Sequence, residues 1–149
     1  MRGINYSFIM KNPNLVHMDK KEQLMNEAKS TMEHSYSPYS HLRVGAAIRA
    51  EDGTIFTGAN IENASYSLTV CAERVAIFNA LSKGHRSFTD LAIATSSGLP
   101  TPPCGPCRQV LYEFNPEMRI HLEGDKKEEF RLKDLLPYPF VSKQDDIKS

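Results

Sequence analysis

The stretch Val70-Cys-Ala-Glu-Arg-Val-Ala-Ile-Phe-Asn-Ala-Leu81 reads as a helix buried on most of its faces. Its length and alanine content favour the helix, and after Arg74 it is apolar almost all round. A second stretch, Pro103-Cys-Gly-Pro-Cys107, begins in the same way with a cysteine. It predicts a helix from Cys104 to about Phe114, with Pro106 suited to the first turn. Between the two lies Leu91 to Thr95, an apolar run of the kind found in fully buried strands.

Upstream, Asp19 to His34 reads as a helix. Leu24, Met25, Ala28 and Met32 share one face, and Asp19 is a plausible N-cap with Glu22 three positions on. Ser35 to Ser40 forms a loop. Val44 to Ala50 and Thr54 to Ala59 flank Glu51-Asp-Gly53, which predicts a hairpin. Asn60 to Ser67 is polar and irregular. Downstream, Met118 to Leu122 reads as a strand, and Leu132 to Leu136 as a helical turn ended by Pro137 and Pro139. A helix, a hairpin, then helices alternating with strands imply a layered α/β domain on one sheet.

The 149 residues suit one domain able to bury its own core without disulfides. Acidic and basic residues balance, 18 against 18, so no single-sign field is available to gather a nucleic acid. Residues 1–18 are aperiodic and are expected to form a poorly structured extension before a domain over 19–149. They hold no apolar run long enough for a signal peptide or a membrane span, so a cytoplasmic location is expected and no membrane partner.

The cysteines number three and cannot all pair. Helix N-termini favour thiolate over thiol, and zinc takes thiolates at about 2.3 Å in near-tetrahedral geometry. Cys104 and Cys107 can wrap one ion from adjacent turns, and Cys71 lies 33 residues upstream as a third ligand. Three protein ligands leave one position open, as catalytic zinc sites do. Two other readings exist. The thiols could be small buried core residues. Cys104-Gly-Pro-Cys107 is also the four-residue motif of thioredoxin-type redox proteins, though that reading gives Cys71 and Glu73 no task.

Glu73 falls in the first turn after Cys71. Dipole preference alone explains a glutamate there. Beside a catalytic zinc, the same carboxylate can carry protons from a water to a ring nitrogen and a leaving amine. Arg74 follows from charge: zinc with three thiolates carries one net negative charge, which a guanidinium at the sulfurs would offset.

Cys71-Ala-Glu73 followed by Pro103-Cys-x-x-Cys107 resembles the cytidine deaminases, in their small three-cysteine form. The resemblance spans roughly residues 20–140. It includes Ser37-Pro-Tyr-Ser40, Val44-Gly-Ala46, Gly58 to Tyr66, Arg108-Gln109 and Leu135-Leu-Pro137. It implies a three-layer α/β/α domain on a mixed five-stranded sheet, a Zn2+ cofactor, and hydrolytic deamination of cytidine and 2′-deoxycytidine in pyrimidine salvage. It also implies a homotetramer with shared active sites. By the same resemblance Asn60 and Glu62 bind the ribose hydroxyls, and the backbone near Ala72 meets the pyrimidine's polar edge. Gln109 orients Arg74, while Tyr66 and Phe140 reach a neighbouring subunit's site.

One position departs from the family pattern. Leu42 stands where an aromatic residue packs on the pyrimidine ring, and Arg43 follows where a small residue is usual. Losing an aromatic face costs about 0.5–1.5 kcal/mol of stacking. That leaves room for a larger base and keeps an alternative open: a deaminase of modified or antibiotic cytosine nucleosides, like those acting on blasticidin S. Such enzymes tend to lack the Asn60-Ile-Glu-Asn63 loop that this chain keeps.

Overall fold

The computed structural model describes residues 18–124 and 129–142. The expected extension over residues 1–18 lies outside them, apart from Met18. Helix α1 (Lys20–Met32) opens at Asp19, whose carboxylate accepts the Lys21 N–H. Strands β1 (Val44–Ala50) and β2 (Ile55–Ala59) form the hairpin. Its turn is closed by Gly53 at φ +90 and by Asp52, whose side chain accepts the Thr54 N–H at 2.9 Å. Helix α2 (Ala72–Ser82), strand β3 (Phe88–Thr95), helix α3 (Gly105–Phe114) and strand β4 (Arg119–Leu122) follow. A short strand β5 (Glu129–Arg131) and a single turn α4 (Leu132–Leu135) complete the described elements.

The sheet order is β2-β1-β3-β4-β5. Among the described residues only the β3–β4 pair of strands is parallel, joined through α3, so the sheet is mixed with five strands, as expected. Pleating sends alternate residues to opposite faces. Ala46, Ile48, Leu91 and Ile93 pack with α2, α3 and α4, around Ile77, Leu111 and Leu132. Ala47, Ala92 and Ala94 meet Leu24 and Ala28 of α1 on the other face. The three layers therefore differ in side-chain volume. The alanine face draws α1 close, and Gly45 makes that approach possible: a Cβ there would lie 2.0 Å from the Ala28 carbonyl oxygen. Gly45→Ala is expected to cost about 1–3 kcal/mol through forced displacement of α1, read as a lower denaturant midpoint.

Two elements differ from expectation for electrostatic reasons. Strand β3 begins at Phe88 rather than Leu91, because Asp90 is an interior strand residue. Asp90 lies opposite Arg119 in the register, accepts its Nη2–H at 2.9 Å and pairs with its Nε at 2.8 Å. It also lies 2.8 Å from His121 Nε2. Strand β5 is a three-residue charged segment recognisable only by its pairing with β4.

Burial alone would push the Asp90 carboxyl up, but hydrogen bonds from His121, Arg119 and Thr89 hold it well below the usual carboxylate range. A depressed folded-state pKa adds stability above the unfolded carboxylate value, and that stability is lost as pH falls toward the folded value. Asp90→Asn is therefore expected to lower stability at neutral pH and to flatten the loss of stability below about pH 4. Urea titrations at several pH values check this. Among the described residues no helix is long and apolar enough to cross a membrane.

Candidate metal centre and active site

The first residue of the buried-helix stretch to carry chemistry is Cys71, and it caps α2 with extended backbone, φ −69 and ψ 152. Cys104 caps α3 in the same way, φ −66 and ψ 167, and Cys107 lies within α3's first turn. Neither helix start receives a side-chain cap, so the free N–H ends of two helices sit at the sulfurs. The Cys71 and Cys104 sulfurs are 3.7 Å apart, and those of Cys104 and Cys107 3.3 Å. All three lie within 4.8 Å of one another. Tetrahedral bonds of about 2.3 Å would place sulfurs about 3.8 Å apart, so the three thiols fit one zinc ion. An all-sulfur set disfavours magnesium or calcium.

The neighbouring Cys107 thiol, with Arg74 adding to the effect, brings the Cys71 thiol down to about 5. The same proximity to Cys71, together with burial and the Glu73 charge, pushes Cys107 up. Cys107 is fully buried, whereas Cys104 is exposed. Arg74 places Nη2 at 3.7 Å from Cys71 Sγ and 3.4 Å from the Thr69 carbonyl oxygen. The Cys71 bond raises its own pKa. Its Nε–H is buried with no partner among the described residues. Glu73 is 5% exposed in the same helical turn. Burial raises its carboxyl to about 7, with the Cys71 charge adding to the effect and Arg74 opposing it.

The irregular loop after β2 is tied to this centre through Val70. Ile61 and Val70 exchange two backbone bonds of 2.9 Å, immediately before Cys71. Asn60 is buried and heavily used: its Oδ1 accepts the Val44 N–H at 2.8 Å and the Ser35 hydroxyl, and its Nδ2 donates to the Leu42 carbonyl at 2.9 Å. Those bonds pin the 35–44 loop to the end of β2. Glu62 accepts the Tyr39 N–H at 2.9 Å, the Ser40 N–H at 3.2 Å and the Ser40 hydroxyl. The Ser40 hydroxyl holds its carboxyl below the ordinary glutamate value. Leu42 is 37% exposed on the same loop. Ala72 is fully buried.

Tyr66 is 75% exposed, with its ring 6.0 Å from that of Tyr39, and Phe140 is 78% exposed. The Gln109 amide, expected at Arg74, donates to the Phe140 carbonyl at 2.9 Å and accepts the Phe140 N–H at 3.0 Å. A glutamine one turn behind a ligand can reach either way, and the Phe140 backbone offers both a donor and an acceptor. Sequence reading also missed the tasks of Ser35, Ser40 and Arg108. Arg108 donates to the carbonyls of Pro103 and Leu135, each at 2.7 Å. Its position four residues after Cys104, on the helix that Cys104 caps, was the available signal.

Comparison with known proteins agrees with this geometry. Residues 18–122 match the family model described as the cytidine and deoxycytidylate deaminase zinc-binding region. A cytidine deaminase of Sporosarcina psychrophila is 50% identical over 127 residues, covering 83% of this chain and 93% of the relative. One from Halalkalibacterium halodurans is 44% identical, covering 82% and 95%. The crystal structure of cytidine deaminase from Burkholderia pseudomallei superposes with a TM-score of 0.76 at 41% identity, covering 79% of this chain and 97% of that one. The matched region contains Cys71, Glu73, Cys104 and Cys107, and with them the whole thiol cluster. On sequence, fold and thiol geometry together, the chain belongs to the cytidine deaminase family of zinc-dependent hydrolases.

Proposed function

We propose that the protein hydrolyses cytidine and 2′-deoxycytidine to the corresponding uridines and ammonia, as a step of pyrimidine salvage in the cytoplasm. The observation that carries this reading is the cluster of three thiols with a buried carboxylate in the first turn of the helix that Cys71 caps. Cys71, Cys104 and Cys107 hold zinc in this reading. Bound there, zinc supplies Lewis acidity that lowers the pKa of a water and makes it a nucleophile near neutral pH.

Glu73 takes a proton from the attacking water as the water's oxygen bonds to C4 of the base. It delivers that proton to N3, then takes the remaining proton from the new C4 hydroxyl and passes it to the amine as the C4–N bond breaks, C4=O forms and ammonia departs. The water-excluded position of Glu73 suits that shuttle, because no bulk water competes for its proton. Arg74 offsets the thiolate charge. Glu62, with its carboxylate held by the Ser40 hydroxyl and two backbone N–H groups, is a fixed acceptor for ribose hydroxyls. Asn60 acts beside it, both through its amide and by shaping the loop that presents Leu42 to the base. The free N–H groups at the start of α2, near Ala72, face the pyrimidine's polar edge.

The same reading has the protein work as a homotetramer in which Tyr66 and Phe140 reach a neighbour's site. Their exposure on the single chain supports it, as does the half-exposed Phe78 of α2. Ammonia release and loss of cytosine-band absorbance test the substrate. Cytidine, 2′-deoxycytidine, blasticidin S and a cytosine-containing oligonucleotide are compared. Fastest turnover of the two plain nucleosides is expected; turnover confined to either of the others would reject the reading.

A further inference from the structure

The segment after α4 has little to hold it in place. Pro137 and Pro139 lack N–H donors, so the backbone from Leu136 to Ser142 can form no regular ladder. Its apolar side chains point away from the core: Tyr138, Phe140 and Val141 are 94%, 78% and 65% exposed. Yet consecutive residues of α3 tie the segment to that helix. Arg108 bridges the Leu135 carbonyl, where the segment begins, to the Pro103 carbonyl, just before Cys104. Gln109 then gives Phe140 both bonds that a neighbouring strand would give, one accepted and one donated. The amide orientation follows from this pairing, since the reversed amide would set N–H against N–H and oxygen against oxygen. These two residues directly follow Cys107 on the helix that carries two of the three thiols.

We propose that Gln109, seconded by Arg108, is a positioning residue for substrate binding: it clamps the backbone of Phe140 to the metal-bearing helix and so fixes where the Phe140 ring projects. This rests on the reading that Phe140 lines a nucleoside site. The physical argument is one of entropy. A segment with two prolines and three exposed apolar side chains has little burial within its own chain to order it. A pair of backbone bonds at Phe140 fixes the residue while leaving its ring unencumbered. A ring ordered before substrate arrives binds without bearing the ordering cost at that moment. The assignment also differs from the role expected of Gln109 at Arg74, and the two make different predictions.

The test uses the full-length zinc-loaded protein and a variant cycle of Gln109→Ala, Phe140→Ala and the double substitution. Each is assayed for KM and kcat with cytidine and for zinc content. Phe140→Ala is expected to raise KM about two- to tenfold, the worth of one aromatic contact. Gln109→Ala should raise KM within the same range, leave kcat and zinc content near wild type, and add nothing further in the Phe140→Ala background. Hydrogen exchange supplies a readout independent of activity. The peptide covering residues 138–142 should exchange faster in Gln109→Ala, while the peptide covering 69–75, around Arg74, stays as in wild type.

Gln109→Glu keeps the size of the side chain but sets an oxygen against the Phe140 carbonyl. It should reproduce the exchange result if Gln109→Ala fails to fold. A full Gln109→Ala effect persisting in the Phe140→Ala background, a loss of zinc, or faster exchange at 69–75 with none at 138–142 would overturn the proposal. An unchanged KM in Phe140→Ala alone would instead remove the reading of Phe140 as a site residue. Exchange at 138–142 would still decide whether the clamp exists.

Discussion

Glu73→Gln is expected to lower kcat by about 10²- to 10⁴-fold while zinc content and fold remain those of the wild type. The amide has the size and shape of the carboxylic acid, so the packed first turn of α2 has no reason to move. What disappears is the ability to take a proton and give it back. Deamination needs this twice: the water gives up both its protons, one to N3 and one to the departing amine. An amide serves none of these transfers. The expected split is therefore a collapse in kcat with a modest change in KM, measured alongside zinc by elemental analysis. A Glu73→Gln protein with near-normal kcat would mean that another group moves the protons. Loss of zinc in this variant would mean that Glu73 helps to hold the metal.

Cys107→Ser should abolish bound zinc and activity together. Cys107 is the fully buried member of the cluster, and its sulfur is 3.3 Å from that of Cys104. Serine nearly preserves the volume, so the effect isolates the ligand atom: an alcohol does not ionise as a thiol does and is a poor partner for zinc. The consequence extends to stability. A ligand that binds only the folded chain stabilises it by about 2.7 kcal/mol at a hundred times its Kd and about 4.1 kcal/mol at a thousand times. Wild-type protein should therefore lose several degrees of Tm on chelation, and Cys107→Ser should show the lowered Tm with no further response to chelator. A Cys107→Ser protein that retained full zinc would place the ion elsewhere.

The chemistry of this chain was more legible in its sequence than its loops were. Cys71, Glu73, Cys104 and Cys107 declare themselves because few physical tasks explain those residue types at helix starts. The structure then gathers the three sulfurs within 4.8 Å. The hairpin was legible through Glu51-Asp-Gly53, where a turn needs positive φ. Asp90 hid the first residues of β3, because a charge argues against a central strand until its partners, Arg119 and His121, are known to lie on the next strand. Strand β5 hid for a similar reason: three charged or partly exposed residues have no pattern of their own.

The loops were the hardest to read because their polar side chains each had several possible partners. Nothing in the order of residues says that Asn60 spends its amide on Val44, Ser35 and Leu42, or that Glu62 is held by Tyr39 and Ser40 across more than twenty residues. Gln109 is the sharpest case. Its neighbour in sequence, Arg108, and its own amide both turn toward the C-terminal segment, a choice decided by where that segment passes over α3.

The central claim is that three sulfurs hold one zinc ion and leave a position open. X-ray absorption on the purified protein, with zinc quantified per chain, addresses it directly. The account predicts about one zinc per chain, with three sulfurs at about 2.3 Å and one lighter atom completing the shell. A shell of four sulfurs, a shell without sulfur, or zinc-free protein that still releases ammonia from cytidine at the same rate would contradict it.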